Sequence, residues 1–100
     1  MPKQPAVYIL ASQYNGTLYI GVTSNLPQRI FQHREGLVEG FSKKYGIKTL
    51  VYVEIFEDML SAIAREKSLK SITRAKKITL IESVNPSWED LTIKLELLKP

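Results

Sequence analysis

The chain is 100 residues long, 44% hydrophobic and 24% charged, the composition of one globular domain able to build a core without a metal or disulfide staple. Cysteine is absent, which excludes disulfides and thiolate-bound zinc, and no apolar run approaches the roughly 20 residues that span a bilayer. The net charge of +4 is unevenly spread: Arg65, Lys67, Lys70, Arg74, Lys76 and Lys77 stand against the single acid Glu66, with Lys43, Lys44 and Lys48 as a second basic group. From Ile78 onward acids prevail. Such asymmetry suits a polyanion-facing surface, and equally a solvated helix face.

Residues 1–5 form a lead-in with two prolines and no signal-peptide apolar region, so the expected location is the cytoplasm, away from membranes. Val7-Tyr8-Ile9-Leu10 and Leu18-Tyr19-Ile20-Gly21-Val22-Thr23 are short β-branched and aromatic runs separated by Asn15-Gly16. That pattern predicts a β-hairpin with a type I′ turn, which needs positive φ at both central residues. Strand alternation puts Tyr8 and Leu10 on one face, Val7 and Ile9 on the other. A two-residue turn would pair Ser12 with Tyr19; a shift of two residues keeps Tyr8 and Tyr19 on one face and brings the rings closer. Asn25 as N-cap, Pro27 in the first turn and Gln28 as a capping-box partner open a helix that ends near Glu35, at Gly36.

Residues 36–48 read as a polar, glycine-containing loop. Residues 49–56 form a third strand, almost continuously apolar and therefore expected to be central or covered on both faces. Asp58 caps a second helix over residues 59–71 and Thr73 a third over 74–84; Asn85-Pro86 ends the third, because proline disfavours helix at the residue before it. Residues 87–90 cap a last helix reaching toward Leu98. The predicted fold class is α+β: a three-stranded, mostly antiparallel sheet flanked by helices, in the order ββαβαα with a C-terminal helix.

Three residues break the apolar pattern. Leu26, Ile30, His33 and Leu37 share a helical face, and Arg29 sits on the same side, three residues from Leu26 and four from His33. Ala62, Ile63 and Leu69 form the inward stripe of the second helix, yet Glu66 lies three or four residues from each. Unpaired buried charge is costly, so these groups are paired, exposed in a cleft, or ligating something. The structural alternative is an Arg29–Glu66 salt bridge beside a hydrogen-bonded histidine.

The motifs Val7-Tyr8-Ile9 and Tyr19-Ile20-Gly21 resemble the signature of the GIY-YIG nuclease superfamily, with Val7 in place of its first glycine. Arg29 stands ten positions after Tyr19, where the family keeps its catalytic arginine. His33 falls where the family has histidine or tyrosine, Glu66 resembles its metal-binding glutamate, and Asn85 its final asparagine. The resemblance spans about residues 6–91 as the domain, with 92–100 a helical extension packed on it. Within the superfamily the chain is most similar to the small stand-alone bacterial members, through Lys44-Tyr45-Gly46-Ile47, Ala62-Ile63-Ala64-Arg65-Glu66-Lys67 and Asn85-Pro86-Ser87-Trp88-Glu89-Asp90-Leu91. It departs from them at Ser71-Ile72-Thr73, where relatives often carry a tryptophan.

The resemblance implies a divalent-metal-dependent endonuclease acting on DNA phosphodiesters, using Mg²⁺ or Mn²⁺. Glu66 is a hard oxygen ligand, and a single carboxylate with retained waters is normal for magnesium. Arg29 offers a planar fork to the scissile phosphate, a geometry lysine cannot match. The family implies Tyr19 as the proton-accepting group with Tyr8 hydrogen-bonded beside it; His33 is a second candidate base, since imidazole titrates near pH 6.5. Asn85, a neutral amide, would orient side chains or phosphate. Lys43, Lys44, Lys67, Lys70 and Arg74 are candidates to hold flanking phosphates. The chain leaves no room for a separate DNA-binding domain, so specificity is expected from a structured or damaged substrate or a partner protein. Two other readings are a nucleic-acid-binding module of the same fold without cleavage, and a protein-interaction domain using the C-terminal stripe Trp88, Leu91, Leu95 and Leu98.

Overall fold

Every residue of β1 (Ala6–Ala11) is buried. The strand lies between β2 (Leu18–Thr23) and β3 (Thr49–Ile55) in an antiparallel sheet of order β2-β1-β3, and helices cover both faces. The computed structural model describes residues 4–37, 40 and 46–95. Four helices complete the α+β fold: α1 (Leu26–Arg34), α2 (Met59–Ser71), α3 (Arg74–Val84) and α4 (Leu91–Lys94).

The hairpin register places Tyr8 opposite Gly21 and Leu10 opposite Tyr19, the shifted arrangement that brings the two phenols together. The turn differs from the type I′ expectation. Of its two central residues only Asn15 has positive φ, at 55°. Gly16 N–H donates to the Gln13 carbonyl (2.9 Å) and Thr17 N–H to Ser12 Oγ (2.9 Å), so a longer loop closes at Ser12. The Ser12 hydroxyl thus takes up backbone capacity that a two-residue turn would have sent into the ladder.

β3 is an edge strand, not the central one. Its apolar run reflects cover on both faces: Tyr52 packs on one side and Leu50 on the other. Ile9 pairs with Tyr52 and Leu10 with Leu50, which makes Val51 the extra residue of a bulge.

Val7, Ile9, Ala11 and Ile20 pack against Ala62 and Leu69 of α2, Ile81 of α3 and Trp88. On the opposite face Ala6, Tyr8, Leu10 and Leu50 pack against Leu26 and Ile30 of α1 and against Ile47. Each fully buried aliphatic side chain here is worth roughly 1.5–3 kcal/mol. The helix starts follow their caps: Asn25 accepts from Gln28 N–H (3.3 Å), Asp58 from Ser61 N–H (2.7 Å) and Thr73 from Lys76 N–H (3.2 Å). Leu37 is exposed rather than inward, because α1 stops at Arg34 and Gly36 turns the chain with φ of 69°. The last helix covers only Leu91–Lys94, capped by Asp90 and closed by Leu95 as C-cap, short of its expected reach toward Leu98; residues 96–98 of that span lie outside the described residues. Among the described residues no helix is long and apolar enough to cross a membrane.

Candidate active site

Tyr8 stands at the centre of the sheet with its ring lying over β2. A Cβ added to Gly21 would sit 2.4 Å from both Cζ and the hydroxyl of Tyr8, so only glycine leaves room for that ring. The Tyr8 hydroxyl is 3.0 Å from Nε2 of His33, which α1 brings down onto the same face. Tyr19 completes a triangle of rings, with centroids 6.3 Å from Tyr8 and 5.2 Å from His33.

Burial and charge set the protonation of this group. Burial raises the Tyr8 phenol well above its ordinary value; Tyr19 and Glu66 push the same way, while Arg29 opposes. Burial, then the Arg29 charge, lowers His33 to about 4. At neutral pH the pair is therefore a neutral phenol and a neutral imidazole. In one tautomer Tyr8 donates to Nε2; in the other Nε2–H donates to the Tyr8 oxygen, which releases the Tyr8 proton to turn toward the neighbouring Tyr19.

Arg29 is half-buried, one helical turn before His33, and its charge reaches both Tyr8 and His33. Glu66 enters from α2, with its side chain only 16% exposed, and pairs at 3.3 Å with Lys70 on the next turn. The Arg29–Glu66 bridge of the structural alternative does not form: Glu66 takes Lys70, and among the described residues no hydrogen bond or ion pair ties up the Arg29 guanidinium. A half-buried arginine on an inward face, with no counter-ion among the described residues, has its guanidinium fork available to an anion.

Among the described residues no three histidine, aspartate or glutamate side chains cluster closely enough to cage a metal. The single inward carboxylate, Glu66, fits instead a hard cation that keeps water and borrows substrate oxygens, as Mg²⁺ and Mn²⁺ do. It does not fit a closed zinc or calcium site.

Asn85, expected beside these residues, is elsewhere. It is buried at the outer edge of β3, about 10 Å in strand spacing from β2. Its Nδ2 donates to the carbonyls of Val51 (3.0 Å) and Glu89 (2.9 Å), and its Oδ1 accepts from Glu89 N–H (3.0 Å). The amide is spent on fastening the loop before α4 to the bulge of β3. Arg74 is also engaged, donating to the carbonyls of Asn15 (2.8 Å) and Gly16 (2.7 Å) at the hairpin tip, although it stays exposed. Lys67 and Lys70 are exposed on α2, and Lys43 and Lys44 lie outside the described residues. Arg65 leaves the basic track altogether: its Nε and Nη2 grip Glu54 at 2.9 and 3.0 Å, and Tyr52 donates to the same carboxylate. Nothing in the periodicity of α2 signals that cross-link, because the partner lies on β3.

The fold and these residues define a recognised catalytic domain. Residues 4–79 match the family described as the GIY-YIG catalytic domain, and the chain belongs to that family. It is similar to small proteins built of little else. UPF0213 protein CPE1444 of Clostridium perfringens is 36% identical over 91 residues, covering 91% of this chain and 97% of that one. UPF0213 protein SH2523 of Staphylococcus haemolyticus is 36% identical over 76 residues, covering 76% of this chain and 92% of that one. The solution structure of the UPF0213 protein BH0048 from Bacillus halodurans superposes with a TM-score of 0.56 at 28% identity, covering 89% of this chain and 94% of that one.

Proposed function

We propose that the protein is a divalent-metal-dependent endonuclease that hydrolyses DNA phosphodiester bonds at Tyr8, Tyr19, Arg29, His33 and Glu66. The observation that carries this reading is the Arg29 guanidinium, without a counter-ion among the described residues, beside a buried neutral phenol–imidazole pair, with the Glu66 carboxylate acting on the same phenol. Arg29 grips the phosphate and stabilises charge building on its oxygens. Glu66 holds Mg²⁺ or Mn²⁺, which when bound supplies Lewis-acid stabilisation of the phosphoryl oxygens and acidifies water. Tyr8 keeps its proton and works as a fixed donor. In the tautomer with Nε2–H, His33 donates to Tyr8, and the Tyr8 proton is then available to steady negative charge on the neighbouring Tyr19 as Tyr19 takes part in moving a proton. Asn85 is left out of the catalytic set. Lys67 and Lys70, and by sequence Lys43 and Lys44, meet flanking phosphates in a sequence-independent way.

One observation favours a second reading, a nucleic-acid-binding module without cleavage: the Lys70 ammonium already neutralises the Glu66 carboxylate. Incubating supercoiled plasmid and branched DNA with purified protein in Mg²⁺, Mn²⁺ or EDTA, beside Glu66→Ala and Arg29→Ala, separates the two. Nicking that needs metal and disappears in both variants supports the endonuclease. Salt-sensitive binding with no nicking in any metal supports the binding module.

A further inference from the structure

We propose that the tip of the β1–β2 hairpin is a stacking platform for an unpaired nucleobase of the substrate strand, with Tyr14 as the stacking side chain; this rests on the reading that the site works on nucleic acid. Tyr14 is 65% exposed, yet its ring is held edge-on against Trp88, with centroids 5.7 Å apart at 60°. Trp88 is buried and kept in the left-handed region at φ of 55°, a costly conformation for a bulky residue. Its indole N–H donates to Glu82 (2.8 Å), which fixes the ring from behind. Arg74 fastens the other side of the tip through the carbonyls of Asn15 and Gly16. A loop anchored on both flanks has already lost much of its freedom, so a ligand meeting Tyr14 loses little more.

The tip also lies at the end of a cationic path from the catalytic group. α2 carries Glu66, then exposed Lys67 and Lys70, toward its end at Ser71, and Arg74 at the start of α3 touches the hairpin. The helix rise carries α2 roughly 7–8 Å from Glu66 to its end at Ser71, about two nucleotide steps of ~3.4 Å along a strand. Charge selects what Tyr14 receives. The Glu82 carboxylate behind Trp88 disfavours a phosphate on that side, whereas a base offers a neutral π face that an exposed phenol ring can stack on. Phosphates follow the Arg74 side and the base turns onto Tyr14. The substrate class that fits is a duplex carrying an unpaired flank, branch or gap.

The test uses the whole chain in EDTA, which holds off cleavage, with two DNA probes of equal length: a blunt duplex, and a duplex with a short single-stranded flank bearing 2-aminopurine. Wild type is expected to quench the 2-aminopurine and to bind the flanked probe about tenfold more tightly, the share of one base–aromatic stack. Tyr14→Phe retains both effects. Tyr14→Leu, which keeps apolar cover on Trp88 and is checked by its melting temperature, loses the quenching and falls to blunt-duplex affinity. Equal binding and quenching by Tyr14→Leu and wild type, or an equal loss on both probes, overturns the platform while leaving the nuclease reading intact. Wild type that binds neither probe overturns the nucleic-acid reading, and the platform with it.

Discussion

The two edges of the sheet treat buried polarity in opposite ways. At the β3 edge, Asn85 spends both amide protons and its carbonyl on the backbone of Val51 and Glu89. At the β2 edge, Tyr8 and His33 satisfy one another, but the charges of Arg29 and Glu66 act on them without closing into a mutual pair. A polar side chain whose hydrogen-bonding capacity is consumed by the chain holds the fold together. Arg29, whose charge meets no counter-ion among the described residues, keeps its hydrogen-bonding capacity for a ligand.

The sharpest way to break this contrast is to remove charge at the β2 edge. Arg29→Ala and Glu66→Ala are expected to fold and melt close to wild type, yet to lose about 10²- to 10³-fold in cleavage rate, the usual effect of deleting a transition-state charge contact. Arg29→Lys restores little of it, because an ammonium lacks the guanidinium fork. Plasmid nicking and thermal melts measured side by side check both halves of the expectation.

At the β3 edge the pattern inverts. Asn85→Ala leaves the Val51 and Glu89 groups without their partner and costs on the order of 3 kcal/mol in urea unfolding. Cleavage per folded molecule stays within about threefold of wild type, because the asparagine touches no reacting atom. Loss of turnover in a fully folded Asn85→Ala protein would return the residue to the catalytic set.

Gly21→Ala joins the two behaviours in one substitution. Its Cβ displaces the Tyr8 ring, so about 1–3 kcal/mol of stability is lost together with activity. Chemical denaturation and nicking assays report the two losses, and an active, undisturbed Gly21→Ala protein would show that the close approach is unimportant.

The effect confined to acid conditions, and absent at neutral pH, is a pH dependence. His33 has a folded value near 4, below its ordinary 6.5, so unfolding takes up a proton between those values. The stabilisation from keeping it neutral is fully present above about pH 6.5 and is lost as pH falls toward 4, by up to about 3 kcal/mol. His33→Phe should flatten the melting temperature across that window; an unchanged slope would place the titration elsewhere.

The amino-acid sequence by itself determined the hairpin strands, the capped starts of the helices and most of the inward residues, though not Leu37 or the end of the last helix. Those signals are local: strand alternation, the side-chain caps Asn25, Asp58 and Thr73, and the spacing of Arg29, His33 and Glu66 against an apolar stripe. Only the tertiary structure decided the rest. It made β1 rather than β3 the central strand, because apolar runs report covered faces and carry no information on ladder order. It sent Asn85 to the outer edge, gave Glu66 to Lys70 and Arg65 to Glu54, and seated Trp88 beneath Tyr14. Most of these pairings join residues far apart in the chain, and which partner satisfies a buried polar group depends on packing that no local spacing encodes.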